Sequence, residues 1–197
     1  MPNILVTGAH GFVGSHLLRQ HAHLPMVAGL RKPEDTSTPS VIIGDITKPF
    51  HFPLDFEVST VIHCAARAHQ VHETAPNPLE AFRAVNVKGL EHTFTAALER
   101  GLKRFIFLSS IKVMGEKSHT PFKETDAPHP VDAYGRSKWE AETLLKEMAQ
   151  HYGVEWVIVR PPLVYGPKAG GNIARMLSLI QKGFPLPLAS LKNQRSM

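Results

Sequence analysis

Three side chains are typed and spaced for proton chemistry: Ser110, Tyr134 and Lys138. The run Tyr134-Gly135-Arg136-Ser137-Lys138 sets a phenol and an ammonium four residues apart, which on a helix is one face. A tyrosine in water titrates near pH ~10, so alone it is a poor base at neutrality. A neighbouring cation favours the phenolate and lowers that value, giving a usable acid and base. Ser110 follows the apolar run Phe105–Leu108, and its hydroxyl suits the oxygen that would trade a proton with Tyr134. Taken singly, the tyrosine–lysine spacing fits a half-exposed helix face equally well. Its weight depends on what surrounds it.

The chain opens on a short apolar run, Asn3-Ile4-Leu5-Val6-Thr7, followed by Gly8-Ala9-His10-Gly11-Phe12-Val13-Gly14. An amphipathic stretch with Val13, Leu17 and Leu18 on one side comes next. Strand, glycine turn and helix start in that order aim backbone N–H groups and a positive helix end at a pyrophosphate. The spacing is G-x-x-G-x-x-G, not the commoner G-x-G-x-x-G. Gly8 permits the turn, Gly11 lets phosphates approach the backbone, and Gly14 lets the helix pack on the strand. A dinucleotide held there would bring an oxidised nicotinamide, a second positive influence on Tyr134.

Further apolar runs at Met26–Leu30, Val41–Ile43, Val61–Cys64, Phe105–Leu108 and Trp156–Val159 are short, non-alternating and rich in Val and Ile. That pattern predicts strands buried on both faces. Asn77-Pro78-Leu79-Glu80 reads as a capped helix start. The stripe Leu79, Phe82, Val85, Leu90, Phe94 and Leu98 continues it to Gly101. Asp132 caps another helix through about His151, with Leu144, Leu145 and Met148 inward. Strands alternating with helices predict an α/β fold, a Rossmann-like doubly wound parallel sheet. Arg31–Ser40 is polar with two prolines, so its crossover helix is short or missing. Glu116–Pro130 reads as an extended loop, either a substrate flap or a solvated connection.

The 197 residues suit one domain with a full core, and the single cysteine, Cys64, excludes a disulfide framework. No signal peptide and no membrane span is legible, so the expectation is a cytoplasmic protein. The net charge of +5 comes from six basic residues after Glu155, leaving 16 basic against 17 acidic before it. A basic end suits an anionic ligand such as a diphosphate. No aromatic interleaving points to nucleic acid.

These segments together resemble the extended short-chain dehydrogenase/reductase family, in its nucleotide-sugar epimerase/dehydratase group. The resemblance rests on Thr7–Gly14, Gly44-Asp45-Ile46, His63-Cys64-Ala65-Ala66, Val85-Asn86-Val87-Lys88-Gly89, Leu108-Ser109-Ser110, Tyr134–Lys138 and Arg160–Pro167. It implies that Phe12 and Val13 meet the pyrophosphate and that Asp45 and Ile46 border the adenine. Ala65, Ala66 and Asn86 would line the cofactor pocket, with Pro161 and Leu163 flanking the nicotinamide. Tyr134 would be the acid/base, Lys138 would hold the nicotinamide ribose and tune Tyr134, and Ser110 would orient the substrate. Asn172 falls where relatives contact the sugar-nucleotide diphosphate.

Departures from the family pattern refine the expectation. Members using NAD usually carry an acid near the end of the second strand, where this chain has Leu30-Arg31-Lys32. Arg31 suits the 2′-phosphate of NADP, so the cofactor expected is NAD or NADP, leaning to NADP. Dehydratases of the group carry Asp-Glu where this chain has Ile111-Lys112, which disfavours dehydration. Relatives continue for roughly a hundred residues beyond Met197, a domain of ordinary size. The division expected is a Rossmann domain over 1–167 and, over 168–197, only the start of a smaller, truncated nucleotide-sugar domain.

The resulting expectation is an NAD(P)-dependent nucleotide-sugar epimerase or 4-ketoreductase, with a non-catalytic cofactor-binding or interaction domain as the rival. The resemblance also implies a homodimer pairing through helices 79–100 and 132–152. No metal site is expected, since His69 and His72 stand one turn apart with no partnering cluster. Cys64, His63, Trp139 and Trp156 read as core or half-buried packing groups, His63 with its hydrogen bonds satisfied. Arg67 reads as solvated or as approaching the ligands.

Overall fold

The structure, a computed structural model, describes residues 3–68, 75–118, 120–167 and 171–184, of which 171–174 without their side chains. Two compact units divide the chain, Met1–Arg160 and Pro161–Met197.

The first unit is built on a six-stranded, wholly parallel sheet in the order β3-β2-β1-β4-β5-β6. Its strands are β1 (Asn3–Thr7), β2 (Met26–Leu30), β3 (Ser40–Ile42), β4 (Val58–His63), β5 (Arg104–Leu108) and β6 (Glu155–Val159). Successive residues of a strand face opposite sides. On β1, Leu5 enters a core with Phe94, Phe105 and Leu145, while Val6 enters a smaller one with Leu18 and Met26. This is the two-sided burial expected, but β6 departs from it: Trp156, Val157 and Val159 are 43%, 44% and 41% exposed. β1 and β4 are neighbours although β2 and β3 lie between them in sequence, so the winding reverses there. In such sheets the crevice at that reversal, beyond the carboxyl strand ends, is where ligands bind.

The helices are α1 (Phe12–Gln20), α2 (Pro78–Arg83), α3 (Gly89–Leu98) and α4 (Ala133–Tyr152), with α5 (Gly171–Gln181) in the second unit. Asn77 caps α2 by accepting the Glu80 N–H, and Pro78 sits at its first position. Asp132 caps α4, and Gly153, at φ +68°, closes it in the left-handed conformation. No helix joins β2 to β3, as the two prolines of that stretch predict.

One expectation needs correction. The helix read across 79–98 is not uniform: Ala84–Lys88 is a π-helical turn between α2 and α3. The apolar stripe carries the trace of it, stepping five residues from Val85 to Leu90 where its other steps are three or four. A single inserted residue resets the face, and such turns often mark functional positions. Among the described residues, no helix is long and apolar enough to cross a membrane.

Candidate active site

The glycine turn after β1 is built for close approach. Gly8 has φ +67°, and a Cβ there would sit 2.7 Å from the Ala65 nitrogen, at the start of the loop after β4. A Cβ on Gly14 would run into the Gly8 carbonyl, so this glycine packs α1 onto the turn itself rather than onto the strand. A Cβ on Gly11 would be 3.0 Å from the same oxygen. Gly11 caps α1 without a side-chain hydrogen bond, and the first turn, with Phe12 and Val13, holds no acid. Its N–H groups and positive helix end are therefore uncompensated by side chains, which fits a dinucleotide diphosphate.

Thr7 ties this turn to β4. Its Oγ1 accepts from the Ala65 N–H at 3.2 Å and lies 2.9 Å from His63 Nδ1. His63 is fully buried, and burial pushes its imidazole down to about 3, so it is neutral at ordinary pH. It is not the fully satisfied histidine expected, for Nε2 has no partner among the described residues. The rings of Phe105 and Phe107 pack near the imidazole, with centroids 5.6 and 6.0 Å away.

Beyond β5, the Ser110 and Tyr134 side chains are hydrogen-bonded to each other. The Phe82 ring meets Tyr134 edge-on at 5.8 Å. Burial raises the phenol above its ordinary value, against which the Ser110 hydrogen bond and the Lys112 charge both pull downward, while Asp132 adds to the rise. Lys112 thus contributes a positive charge near Tyr134. Lys138 is 1% exposed, donates to the Leu108 carbonyl at 2.8 Å and lies over the Phe107 ring. Burial pushes its ammonium down to about 7.

Several residues that hold this site escape a reading by spacing. Glu142, one turn beyond Lys138 and wholly buried, accepts from Ser109 Oγ at 2.5 Å and from Arg160 Nε and Nη2 at 2.9 and 2.5 Å. It thus binds the ends of β5 and β6 to α4. Asn86, in the π turn, is also buried: its Oδ1 accepts the Arg67 N–H at 2.8 Å and its Nδ2 donates to Ser137 Oγ at 2.9 Å. Its amide bonds protein groups and so shapes the loop after β4. The Arg67 guanidinium lies 5.5 Å from the Phe82 ring centroid.

The remaining expected contacts are spread. Arg31 is exposed just past β2. Asp45 sits below its usual carboxylate range because the Thr47 backbone and hydroxyl hydrogen-bond to it, with Arg31 and Lys48 adding to the effect. Ile46 packs its side chain into the core against Gly89. Ala65 is half-buried and Ala66 exposed. Pro161 and Leu163 belong to the second unit, half-buried and exposed respectively, and Asn172 lies in the first turn of α5 with its side chain outside the description. Cys64 stands just past β4, half-buried, with its thiol pushed up to about 11 by burial. Trp156 is more exposed than expected, with the Lys146 ammonium over its ring. No metal-binding cluster occurs among the described residues, outside which His69 and His72 fall.

Comparison with known proteins agrees with this architecture. A sequence model of the NAD dependent epimerase/dehydratase family matches residues 4–196. UDP-glucose 4-epimerase of Vibrio cholerae is 39% identical over 203 residues, covering 99% of this chain and 62% of its own length. UDP-glucuronic acid 4-epimerase from Bacillus cereus, in complex with NAD, superposes with a TM-score of 0.73 at 25% identity, over 93% of this chain and 64% of that one. RMD from Pseudomonas aeruginosa, complexed with NADPH, gives 0.75 at 26% identity, over 93% and 63%. The chain thus spans somewhat less than two thirds of each of these proteins.

Proposed function

This chain belongs to the NAD dependent epimerase/dehydratase family, and on that premise we propose that it is the cofactor-binding and proton-transferring part of an NAD(P)-dependent nucleotide-sugar epimerase. One observation carries the reading: the Ser110–Tyr134 hydrogen bond lies at the same sheet edge as the glycine turn of Gly8, Gly11 and Gly14. In a parallel sheet that edge is where a ligand meets every strand end.

When bound, the nicotinamide supplies the acceptor and donor of a hydride at a sugar ring carbon. The N–H groups at Phe12 and Val13 would hold the diphosphate. Tyr134 takes the hydroxyl proton as that carbon becomes a ketone, and returns it when the ketone is reduced. Ser110 Oγ, already bonded to the phenol, orients the same substrate oxygen. Lys138, now donating to the Leu108 carbonyl, would turn to hold a ribose hydroxyl when the cofactor is bound. An epimerase runs both halves on one sugar, whereas a 4-ketoreductase runs the second half alone and consumes reduced cofactor.

Arg31 favours a second reading, since an exposed guanidinium past β2 suits the extra phosphate of NADP and hence a reductase. Cofactor consumption separates the two. We also assign pairing between two copies of the chain to helices 79–100 and 132–152, tested by solution mass. The catalytic reading is tested by turnover of UDP-sugars by the purified protein against Tyr134→Phe. A loss of about 10²-fold or more is expected for removal of an acid/base group. Equal turnover would leave a cofactor-binding domain without catalysis.

A further inference from the structure

The short 3-10 turn Ile111–Val113 joins the Ser110 side of the site to the Tyr134 side. Ser110 Oγ accepts the Lys112 backbone N–H at 3.2 Å, so the turn fixes the serine. The Lys112 carbonyl is packed on the first turn of α4, where a Cβ on Gly135 would come within 2.7 Å of it. The Lys112 ammonium spans the same gap, 2.5 Å from Asp132 Oδ2 and 2.8 Å from Glu116 Oε1. Asp132 Oδ1 meanwhile accepts the Gly135 N–H at 2.6 Å, one residue after Tyr134 in the first turn of α4. Lys112 therefore touches Ser110 through its backbone and, through its side chain, the cap that starts the Tyr134 helix.

We propose that Lys112 is a positioning residue: by clamping Asp132 it locks the Ser110 turn to the start of α4 and so sets the meeting of the Ser110 hydroxyl with the Tyr134 phenol. The proposal rests on the reading of Tyr134 as the proton-transfer group. The lysine stem and head are only partly exposed, with 27% of the side chain accessible on both Lys112 and Asp132. Such a pair holds its geometry better than a bridge in open solvent. The charged groups acting on the phenol are Lys112 and Asp132. From α2 the neighbour is the uncharged Phe82 ring, and Lys138 on α4 is turned to Leu108.

The test is a double-mutant cycle read by phenolate absorbance on the whole chain. It needs neither substrate nor cofactor, so failure of the turnover assay and failure of this proposal remain distinguishable. The chain has three tyrosines, and subtraction of Tyr134→Phe isolates the one of interest. Ser110→Ala should move the Tyr134 titration alkaline, because a hydrogen bond to the charged form is lost. Lys112→Met should also move it alkaline, by roughly half a pH unit or more. If Lys112 positions the serine, Ser110→Ala has less effect in the Lys112→Met background, and Lys112→Arg restores its full effect. Strictly additive shifts in folded proteins would overturn the proposal, since a remote charge and an independent hydrogen bond add. Lys112→Gln repeats the cycle should the methionine variant not fold, and additivity there overturns the proposal equally.

Discussion

Glu142 and Arg160 form a two-oxygen ion pair with the carboxylate wholly buried and the guanidinium largely so, joining the middle of α4 to the end of β6. Ser109 adds a third donor to the same carboxylate. Every polar atom of the acid is occupied within one turn of Lys138. The pair thus positions the lysine's helix against the strand ends and contributes nothing that a substrate could touch directly.

Removing one member should be costly. Glu142→Ala strands Arg160 and Ser109 without their acceptor, and loss of one partner of a buried pair costs about 3–5 kcal/mol. Glu155→Ala cuts a bridge from Arg104 that is mostly in solvent and should cost about 1 kcal/mol or less. Urea unfolding of both variants checks the contrast, and equal losses would show that burial does not govern the Glu142 pair.

Two glycines with nearly equal backbone angles should respond differently. Gly8 and Gly44 have φ of +67° and +68°, but a Cβ on Gly44 meets nothing within 4 Å. Gly44→Ala should cost only the left-handed backbone penalty, about 1–2 kcal/mol. Gly8→Ala adds a clash with Ala65 worth about 1–3 kcal/mol and should also weaken binding of nicotinamide dinucleotides. Thermal unfolding and cofactor fluorescence titration measure the two effects.

His63 should make stability depend on acid. The folded state holds the imidazole at about 3 against 6.5 in the unfolded chain, so between these values only the unfolded chain binds the proton. Stability is full above about pH 6.5 and falls as the pH drops toward 3, with a slope approaching about 1.4 kcal/mol per pH unit. Urea midpoints between pH 4 and 7 should show a shallower fall for His63→Gln than for the parent chain.

Arg31 should set cofactor choice. Arg31→Asp is expected to weaken NADPH binding about tenfold or more, roughly 1.4 kcal/mol, and to strengthen NADH binding. Fluorescence titration with both cofactors reads the ratio. An unchanged ratio would remove the basis for preferring NADP.

Much of this protein was legible from its chain alone, because the relevant signals are local. Buried strands announce themselves as short Val- and Ile-rich runs, and Asn77 and Asp132 as caps. The glycine spacing marks the turn after β1, since a turn is decided by residues adjacent in sequence. That Ser110 and Tyr134 would serve one substrate oxygen followed from the place of Ser110 after its strand and from the family resemblance. What folding alone decided is where long side chains turn once distant elements meet. Lys138 points to Leu108 because burial leaves that carbonyl as its partner, and Lys112, on a separate turn, adds a charge near Tyr134. Glu142 finds Arg160 across 18 residues, and Asn86 finds Arg67 and Ser137 across 19 and 51. No periodicity encodes such pairings; they exist because a buried polar group must find its partner among whatever the packed core brings near.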